Sequence, residues 1–480
     1  MLIGRSKQQE ELRALVESRE SQFCAIYGRR RIGKTYLVRE TFNYHFTFQH
    51  TGLADQPLKK QLSSFRDSLI SAGAPKQPVP KNWSEAFTAL QIFLQNSEDK
   101  KKIIFIDELS WIDTPKSGFV SALEHFWNAW ATARKEQDIV LIVCGSSTSW
   151  ITNKIINNHG GLHNRLTCTI HLEPFTLSEC EKFAKAAQLG FSRTDIANAY
   201  MIFGGVPFYW SLLKRTESLP QNIDRLFFDK DAKLKYEYRE MFASLFKDPS
   251  LHLEVLEELC KKKAGLTREQ LTQSPNLKND GTLTKVLEEL EQCGFIQRYH
   301  KIGQEKKGAL FQIIDNFVLF HFKFLASNKN IDKQFWSKSL NTAQLNTWYG
   351  LAFERLCLQH IDQIKSALGI SGILTNTASW FSKANDGNDG AQIDLVIDRN
   401  DGIIDICEMK YCRDKYSLDK KSYENLKNKR GVFESCTKTR KAVQIVLISS
   451  FGAQHNAYYN ELIHQEITLD DLFDLPDEAE

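Results

Sequence analysis

Eight residues, Gly28-Arg29-Arg30-Arg31-Ile32-Gly33-Lys34-Thr35, carry the spacing G-x-x-x-x-G-K-T. Glycines at those two positions let backbone N–H groups turn inward on a chain of phosphates. The lysine ammonium then reaches the β- and γ-phosphates, and the threonine hydroxyl ligates Mg²⁺. A second pair, Asp107-Glu108, supplies what phosphoryl transfer still needs. Asp107 is placed to hold the Mg²⁺ shell, directly or through water, and Glu108 to polarise the attacking water. A third group is Gly145-Ser146-Ser147-Thr148. One of Ser146 and Ser147 is expected on the γ-phosphate or the water, with helix capping as the alternative role for either. No NKxD guanine-reading motif is present, so the nucleotide expected is ATP.

Each group follows an apolar run: Phe23-Cys24-Ala25-Ile26-Tyr27, Ile103-Ile104-Phe105-Ile106, and Ile139-Val140-Leu141-Ile142-Val143-Cys144. Continuous apolar runs predict strands buried on both faces of a parallel sheet, with the polar residues emerging at their carboxyl ends, where open α/β sheets bind ligands. A helix is expected to open at Lys34, its N-terminus turned to the phosphates.

These residues also carry a resemblance. Ile3-Gly4-Arg5 followed by Glu11, the GRRRIGKT loop, the IIFIDE strand, CGSS, Gly161-Leu162-His163-Asn164-Arg165 and Gly204-Gly205-Val206-Pro207 resemble the archaeal-type ATPase family. That family belongs with the signal-transduction branch of AAA+-like P-loop ATPases. The likeness covers roughly the first 240 residues. It implies that Ile3, Gly4 and Arg5 lie near the adenine, that Arg165 is the arginine sensor or finger, and that Gly204 to Pro207 begin a helical lid. A finger can act in trans, and a homo-oligomer through the ATPase domain is the corresponding expectation; a surface salt bridge is the alternative role for Arg165.

At 480 residues the chain exceeds one core and suggests about three domains of ordinary size. Its composition, 42% apolar and 25% charged, is that of a globular protein, and no apolar run approaches the roughly 20 residues that span a bilayer. The first residues run straight into the ATPase pattern without a cleavable apolar segment, so a cytoplasmic protein with no membrane partner is expected. The ten cysteines are scattered. Neither Cys407 with Cys412 nor Cys357 with Cys436 has a zinc spacing, and reduced core residues are expected. His159 and His163 lie four apart but lack a second pair of ligands nearby.

From 241 to 325 the pattern is helix, turn, helix, ribbon. Thr267 caps a short helix, and Asp280 or Thr282 introduces the amphipathic Leu283-Thr284-Lys285-Val286-Leu287-Glu288-Glu289-Leu290. Gly294 to Tyr299 and Leu310 to Ile313 read as the strands of a wing, which together describe a winged helix. Its would-be recognition helix, Lys278 to Cys293, has two basic residues against four acids, the wrong sign for a major groove. The wing itself, with Arg298, Lys301, Lys306 and Lys307 against Glu305, has the opposite sign. A structural, interdomain role and a duplex contact through the wing both stand.

Polar residues from 326 to 344 mark a linker. Beyond it, Glu354 is a lone acid in the helical segment Gly350 to Cys357, and Ile393 to Asp398 and Ile403 to Lys410 flank the turn Arg399-Asn400-Asp401-Gly402. The hairpin puts Asp394 on the first strand and Glu408 and Lys410 on one face of the second. Carboxylates facing a lysine can perform metal-assisted phosphodiester hydrolysis: Asp394 and Glu408 would bind Mg²⁺ or Mn²⁺, Glu354 would assist, and Lys410 would orient or deprotonate water. The set resembles the PD-(D/E)XK nuclease superfamily, and more closely the nuclease-like domain that follows many archaeal-type ATPases, although Ile393 stands where the superfamily has a proline. A degenerate fold that keeps Glu408 and Lys410 as a surface pair is the alternative. From Tyr411 to Lys441 ten basic residues face four acids, a patch suited to a nucleic-acid backbone or else a solvated helix face. A final strand and loose tail are expected over Asp470 to Glu480.

The expected fold class is therefore α/β. A P-loop ATPase with a parallel sheet spans 1–170, a helical lid 171–240, a winged helix 241–325, a linker 326–344, and a restriction-endonuclease-like α/β domain 345–480. The expected function is ATP binding and hydrolysis controlling a metal-dependent domain that binds and cleaves nucleic acid, DNA being the first choice. The competing expectation is an ATP-driven switch or scaffold whose last domain binds DNA or protein without cutting. A transcription regulator acting through the winged helix ranks third, because of its acidic helix.

Overall fold

The computed structural model describes residues 2–158, 160–263, 265–299, 309–326, 332–382 and 390–474. His159, the wing residues Lys301, Glu305, Lys306 and Lys307, and the end of the acidic tail lie outside the described residues. The chain divides into two compact units, Met1–Pro174 with Ala243–Pro249, and Phe175–Phe242 with Ser250–Glu480.

In the first unit the apolar runs form a parallel sheet of β1 (Gln22–Tyr27), β2 (Phe48–Thr51), β3 (Lys102–Asp107), β4 (Ile139–Cys144) and β5 (Cys168–His171). The order is β2-β3-β4-β1-β5. Alternate residues serve opposite faces. Phe23, Ala25, Ile104, Ile106, Leu141 and Val143 join one core with the helices Leu58–Ser71 and Trp83–Gln95. Cys24, Ile26, Phe105, Val140 and Ile142 join the other, with Leu12, Leu15, Leu37 and Val38 from helices Ser6–Glu17 and Lys34–Thr41. Both faces are covered, as an all-parallel sheet requires.

The amino ends of β3 and β4 are pinned by charge. The Lys102 ammonium lies 2.7 Å from Asp138 Oδ2, and Arg134 Nε lies 2.8 Å from Oδ1, with the Lys102 and Asp138 side chains almost fully buried. Burial alone would raise the Asp138 carboxyl, but bonds from Arg134 and Lys102 outweigh it and hold it below the usual carboxylate range.

The second unit begins with helices Leu177–Ala186 and Arg193–Phe203, each opened by a capping box, Thr176 with Glu179 and Ser192 with Asp195. Gly204, at φ 60°, ends the second, and Pro207 starts the next helix. A Cβ on Gly205 would lie 1.9 Å from the Phe175 carbonyl oxygen, so only glycine fits that crossing. Further along, after helical segments Leu219–Ile223, Asp224–Phe228 and Glu237–Leu245, are helix Ser250–Cys260, β6 (Leu266–Thr267), helices Arg268–Leu271 and Gly281–Gln292, β7 (Ile296–Tyr299) and β8 (Leu310–Ile313). The three strands form an antiparallel sheet in the order β6-β8-β7. Thr267 and Asp280 are the helix caps.

Helix Ala343–Gln359 leads into a mixed sheet of β9 (Thr375–Ser382), β10 (Ala391–Arg399), β11 (Ile403–Lys410), β13 (Ala442–Ser449) and β15 (Gln465–Thr468), in the order β15-β13-β11-β10-β9. β9, β10 and β11 are antiparallel, whereas β11, β13 and β15 run parallel, with helix Lys420–Thr437 making the crossover. A two-stranded ladder joins β12 (Tyr416–Ser417) to β14 (Ala453–Gln454).

The first two helices of this unit are tied directly to its last part. Tyr411 donates to Asn198, Asn316 donates to the Tyr200 carbonyl, and the Leu177 N–H donates to His360 Nε2. His360 Nδ1 lies 2.8 Å from the Leu356 carbonyl, which fixes the proton there and leaves Nε2 as the acceptor. Burial lowers this imidazole to about 4, so it stays neutral in that role.

Two sequence expectations need correction. The polar stretch 326–344 contains a short helix, Phe335–Ser339, whose Trp336 is fully buried against Phe228, Phe320 and Phe324, so this part is packed rather than a linker. Two aromatic residues outweigh the polar majority because burial counts area, not residues. At the other end, the last strand closes at Thr468, and Asp470–Phe473 is a 3₁₀ helix with Leu472 and Phe473 buried.

Replacing Asp138 by asparagine leaves the buried Lys102 ammonium without its counter-ion, and urea unfolding should show a loss of about 3 kcal/mol at neutral pH. Because the folded carboxyl is held low, its contribution is present above the ordinary value of 3.8 and is lost as pH falls through the folded value. The gap between wild type and Asp138→Asn should therefore close only in that acid range.

Candidate functional site

The loop from Gly28 to Gly33 lies between β1 and helix Lys34–Thr41. Gly28 has φ 137°, and a Cβ there would lie 2.3 Å from the Leu172 carbonyl oxygen. Gly33, at φ 88°, caps the helix. Arg29, Arg30 and Arg31 are half-buried, Ile32 is buried in the core, and Lys34 is buried with its ammonium donating to the Gly28 and Arg29 carbonyls at 2.8 and 3.0 Å.

Strand order brings the other residues in. β4 lies between β1 and β3, and the Asp107 carboxylate gathers donors from all three. Thr35 Oγ1 donates to Oδ2 at 2.7 Å, and the Cys144 thiol and the Glu108 N–H donate to Oδ1 at 2.6 and 2.8 Å. Burial, then the neighbouring Asp107, pushes the Cys144 thiol well up, which keeps it a protonated donor. Glu108 sits at φ 54°, a conformation that costs a non-glycine residue energy and turns its side chain toward β4. There Glu108 Oε2 accepts from the Ser146 N–H at 3.0 Å and the Ser146 hydroxyl at 2.7 Å.

Ser146, one of the two serines expected on the γ-phosphate or the water, bonds to Glu108, because the loop after β4 lies beside the loop after β3. Sequence reasoning missed Cys144 as well; its position as the last residue before the glycine of the loop was the available signal. Arg5 is buried and donates to the Glu173 carbonyl. Arg165 is exposed, and no ion pair to it is found among the described residues.

In the second unit, the ladder pairs Leu395 with Cys407 and Val396 with Ile406. Asp394 and Glu408 are the next residues on the two strands, just beyond the last pair of the ladder. Glu354 comes from helix Ala343–Gln359; burial first, then Asp394, with Glu408 adding, raises its carboxyl, so the three acids share one region. Three lysines enter it. Lys410 lies 2.7 Å and Lys429 2.8 Å from the two oxygens of Glu408, and Lys263 lies 2.5 Å from Glu354. Asp394 accepts from Gln392. Burial raises the Glu408 carboxyl, but the two ammoniums outweigh it and hold it low. Lys410 was expected from sequence; Lys263 was not, and nothing local to it signals the contact.

The two donor sets differ in what they can hold. A hydroxyl and a carboxylate bonded to one another, Thr35 and Asp107, fit a hard divalent cation beside phosphates. The second set does not fit one as arranged. Two of its carboxylates, Glu354 and Glu408, are already paired with ammoniums, and among the described residues no group of three or more His, Cys, Asp or Glu side chains is placed to hold a metal ion. Nor is any helix there long and apolar enough to cross a membrane.

Gly28→Ala is expected to displace the loop, because the added methyl meets the Leu172 carbonyl at positive φ. Titration with a fluorescent ATP analogue should show binding weakened about tenfold or more, with the circular dichroism spectrum retained.

Comparison with known proteins bears on the first unit and on the start of the second. Residues 2–213 match the family model described as an ATPase domain predominantly from Archaea. An uncharacterized protein of Methanocaldococcus jannaschii is 24% identical over 438 residues, spanning 89% of this chain and 92% of that one. Among solved structures, a Walker-type ATPase of Pyrococcus abyssi aligns with TM-score 0.49 at 14% identity, covering 66% of this chain and 95% of that one. The ORC2 protein of Aeropyrum pernix in ADPNP–ADP complexes aligns with TM-score 0.43 at 16% identity, covering 65% and 90%. With the loop, the parallel sheet and the family match in agreement, residues 2–213 form an archaeal-type P-loop ATPase domain.

Proposed function

We propose that this protein binds and hydrolyses ATP and that its C-terminal domain acts on nucleic acid under the control of that nucleotide. The observation that carries the first part is the Asp107 carboxylate, bonded to the phosphate-loop hydroxyl of Thr35 and standing next to Glu108. Lys34 and the N–H groups of the loop bind the phosphates. Thr35 and Asp107 would hold Mg²⁺, whose chemistry there is neutralisation of charge on the phosphate oxygens. Glu108 accepts the proton of the attacking water, and Ser146 is its positioning residue, since one serine fixes the carboxylate through two bonds. Exposed Arg165 suits a finger reaching a neighbouring copy, which makes a homo-oligomer through this domain part of the reading.

For the second unit, the three helices and the β6-β8-β7 sheet support a winged helix. Arg268, at its centre, is used internally, donating to Asn279, Thr284 and the Asp280 carbonyl. That use and the acidic helix favour the interdomain role over DNA reading.

The mixed sheet, with Glu354 on the preceding helix, Asp394 and Glu408 on the two strands of a hairpin and Lys410 two residues on, supports a PD-(D/E)XK nuclease-like domain. The basic residues of helix Lys420–Thr437 supply affinity for a phosphate backbone, preferably of DNA. Phosphodiester cleavage aided by Mg²⁺ or Mn²⁺ is the finer reading. A non-cleaving switch is the second, and it is favoured by the lysines that neutralise Glu354 and Glu408.

The two are separated by incubating the protein with single- and double-stranded DNA and RNA, with Mg²⁺ or Mn²⁺, with and without ATP. Cleavage that disappears in Lys410→Ala and responds to ATP only while Lys34 is intact would assign the nuclease. Intact nucleic acid alongside steady ATP hydrolysis would instead assign the switch.

A further inference from the structure

Two cysteines are matched by the sheet of the first unit. In the parallel ladder between β1 and β5, Cys24 stands opposite Cys168. Both side chains enter the core shared with helices Ser6–Glu17 and Lys34–Thr41. Adjacent strands lie about 4.8 Å apart, within the range of about 4.4 to 6.8 Å over which a disulfide bridges two Cα atoms. Among the described residues, the other cysteines on paired strands, Cys144 and Cys407, stand opposite Ile26, Leu395 and Val446 instead.

The two thiols differ in access. β5 is the last strand of its sheet, and Cys168 is half-buried, whereas Cys24 is fully buried. They also differ in acidity. A hydrogen bond between the two side chains, then burial, pushes the Cys24 thiol well up. The same bond holds the Cys168 thiol below its ordinary range, against burial and the charge of Glu11. A thiolate at the more open sulfur, with a protonated thiol beside it, is the arrangement of a reactive cysteine with a second cysteine to resolve it.

We propose that Cys168 and Cys24 form an oxidation site: Cys168 reacts first with hydrogen peroxide, and Cys24 then closes a disulfide between β1 and β5. In the first step the Cys168 thiolate sulfur attacks one peroxide oxygen. The O–O bond breaks, a sulfenic acid forms, and the departing hydroxide becomes water with a proton from solvent. In the second step the Cys24 sulfur attacks the Cys168 sulfur. The S–S bond forms, the S–O bond breaks, and the departing hydroxide takes the Cys24 proton. Two thiols are oxidised and one peroxide is reduced to two waters. The bond would fasten the strand that carries the phosphate loop to the strand that leads to Leu172, whose N–H already donates to the Tyr27 carbonyl.

The test exposes the reduced full chain to a small excess of hydrogen peroxide, alkylates it with N-ethylmaleimide and digests it without reductant for mass spectrometry. Exposed Cys436 is the internal reference. A peptide pair joined through Cys24 and Cys168 should form about 3-fold or more faster than Cys436 is oxidised, and dithiothreitol should separate it. Cys24→Ser keeps a donor beside Cys168 but cannot close the bond, so Cys168 should stop at a sulfenic acid that dimedone traps. Cys168→Ser should give no joined pair and leave Cys24 reduced. Melting curves establish that both variants are folded. Cys168 left free, or oxidised more slowly than Cys436, in the wild-type chain overturns the site. Cys168 joined to any cysteine other than Cys24 overturns the pairing.

Discussion

The first unit is organised around the Asp107 carboxylate. Its two oxygens take a hydroxyl from the first turn of the helix after the phosphate loop, a thiol from the end of β4 and the N–H of the next residue. These donors come together only because β4 separates β1 from β3 and all three strands point the same way. Parallel order is thus what makes the site, and the covering of both sheet faces by helices is what makes parallel order stable. The positive φ of Glu108 belongs to the same arrangement, since it turns the second acid of the pair toward Ser146.

Much of this was legible. Glycine and lysine spacing in the phosphate loop reports backbone geometry, which is local, and continuous apolar runs report burial on two faces. The hairpin itself was legible for a similar reason, because two apolar runs around one turn predict an antiparallel pair. Partners set by strand order or by distant segments were not. Ser146 bonds to Glu108 across a crossover, Cys144 donates to an acid on a neighbouring strand, and Lys263 reaches Glu354 from another module. Each is a long-range contact with no local pattern to announce it. Trp336 shows a different limit: a window averaged over polar neighbours hides one large aromatic residue that finds a core.

The two units use charge in opposite ways. Asp107 and Thr35 form a donor set suited to a divalent cation beside phosphates. In the second unit Glu354 and Glu408 are paired with lysines, while Asp394 accepts from Gln392. That difference separates a donor set suited to a cation from one whose glutamates are already paired.

Turnover by Glu108→Gln tests the account most directly, with ATP binding measured on the same protein. If Glu108 is the residue that takes the proton from the attacking water, the variant should bind Mg²⁺-ATP as wild type does and hydrolyse it about a hundredfold more slowly. Hydrolysis at the wild-type rate would contradict the assignment of Asp107 and Glu108 as a metal holder and a base, and with it the reading of the first unit.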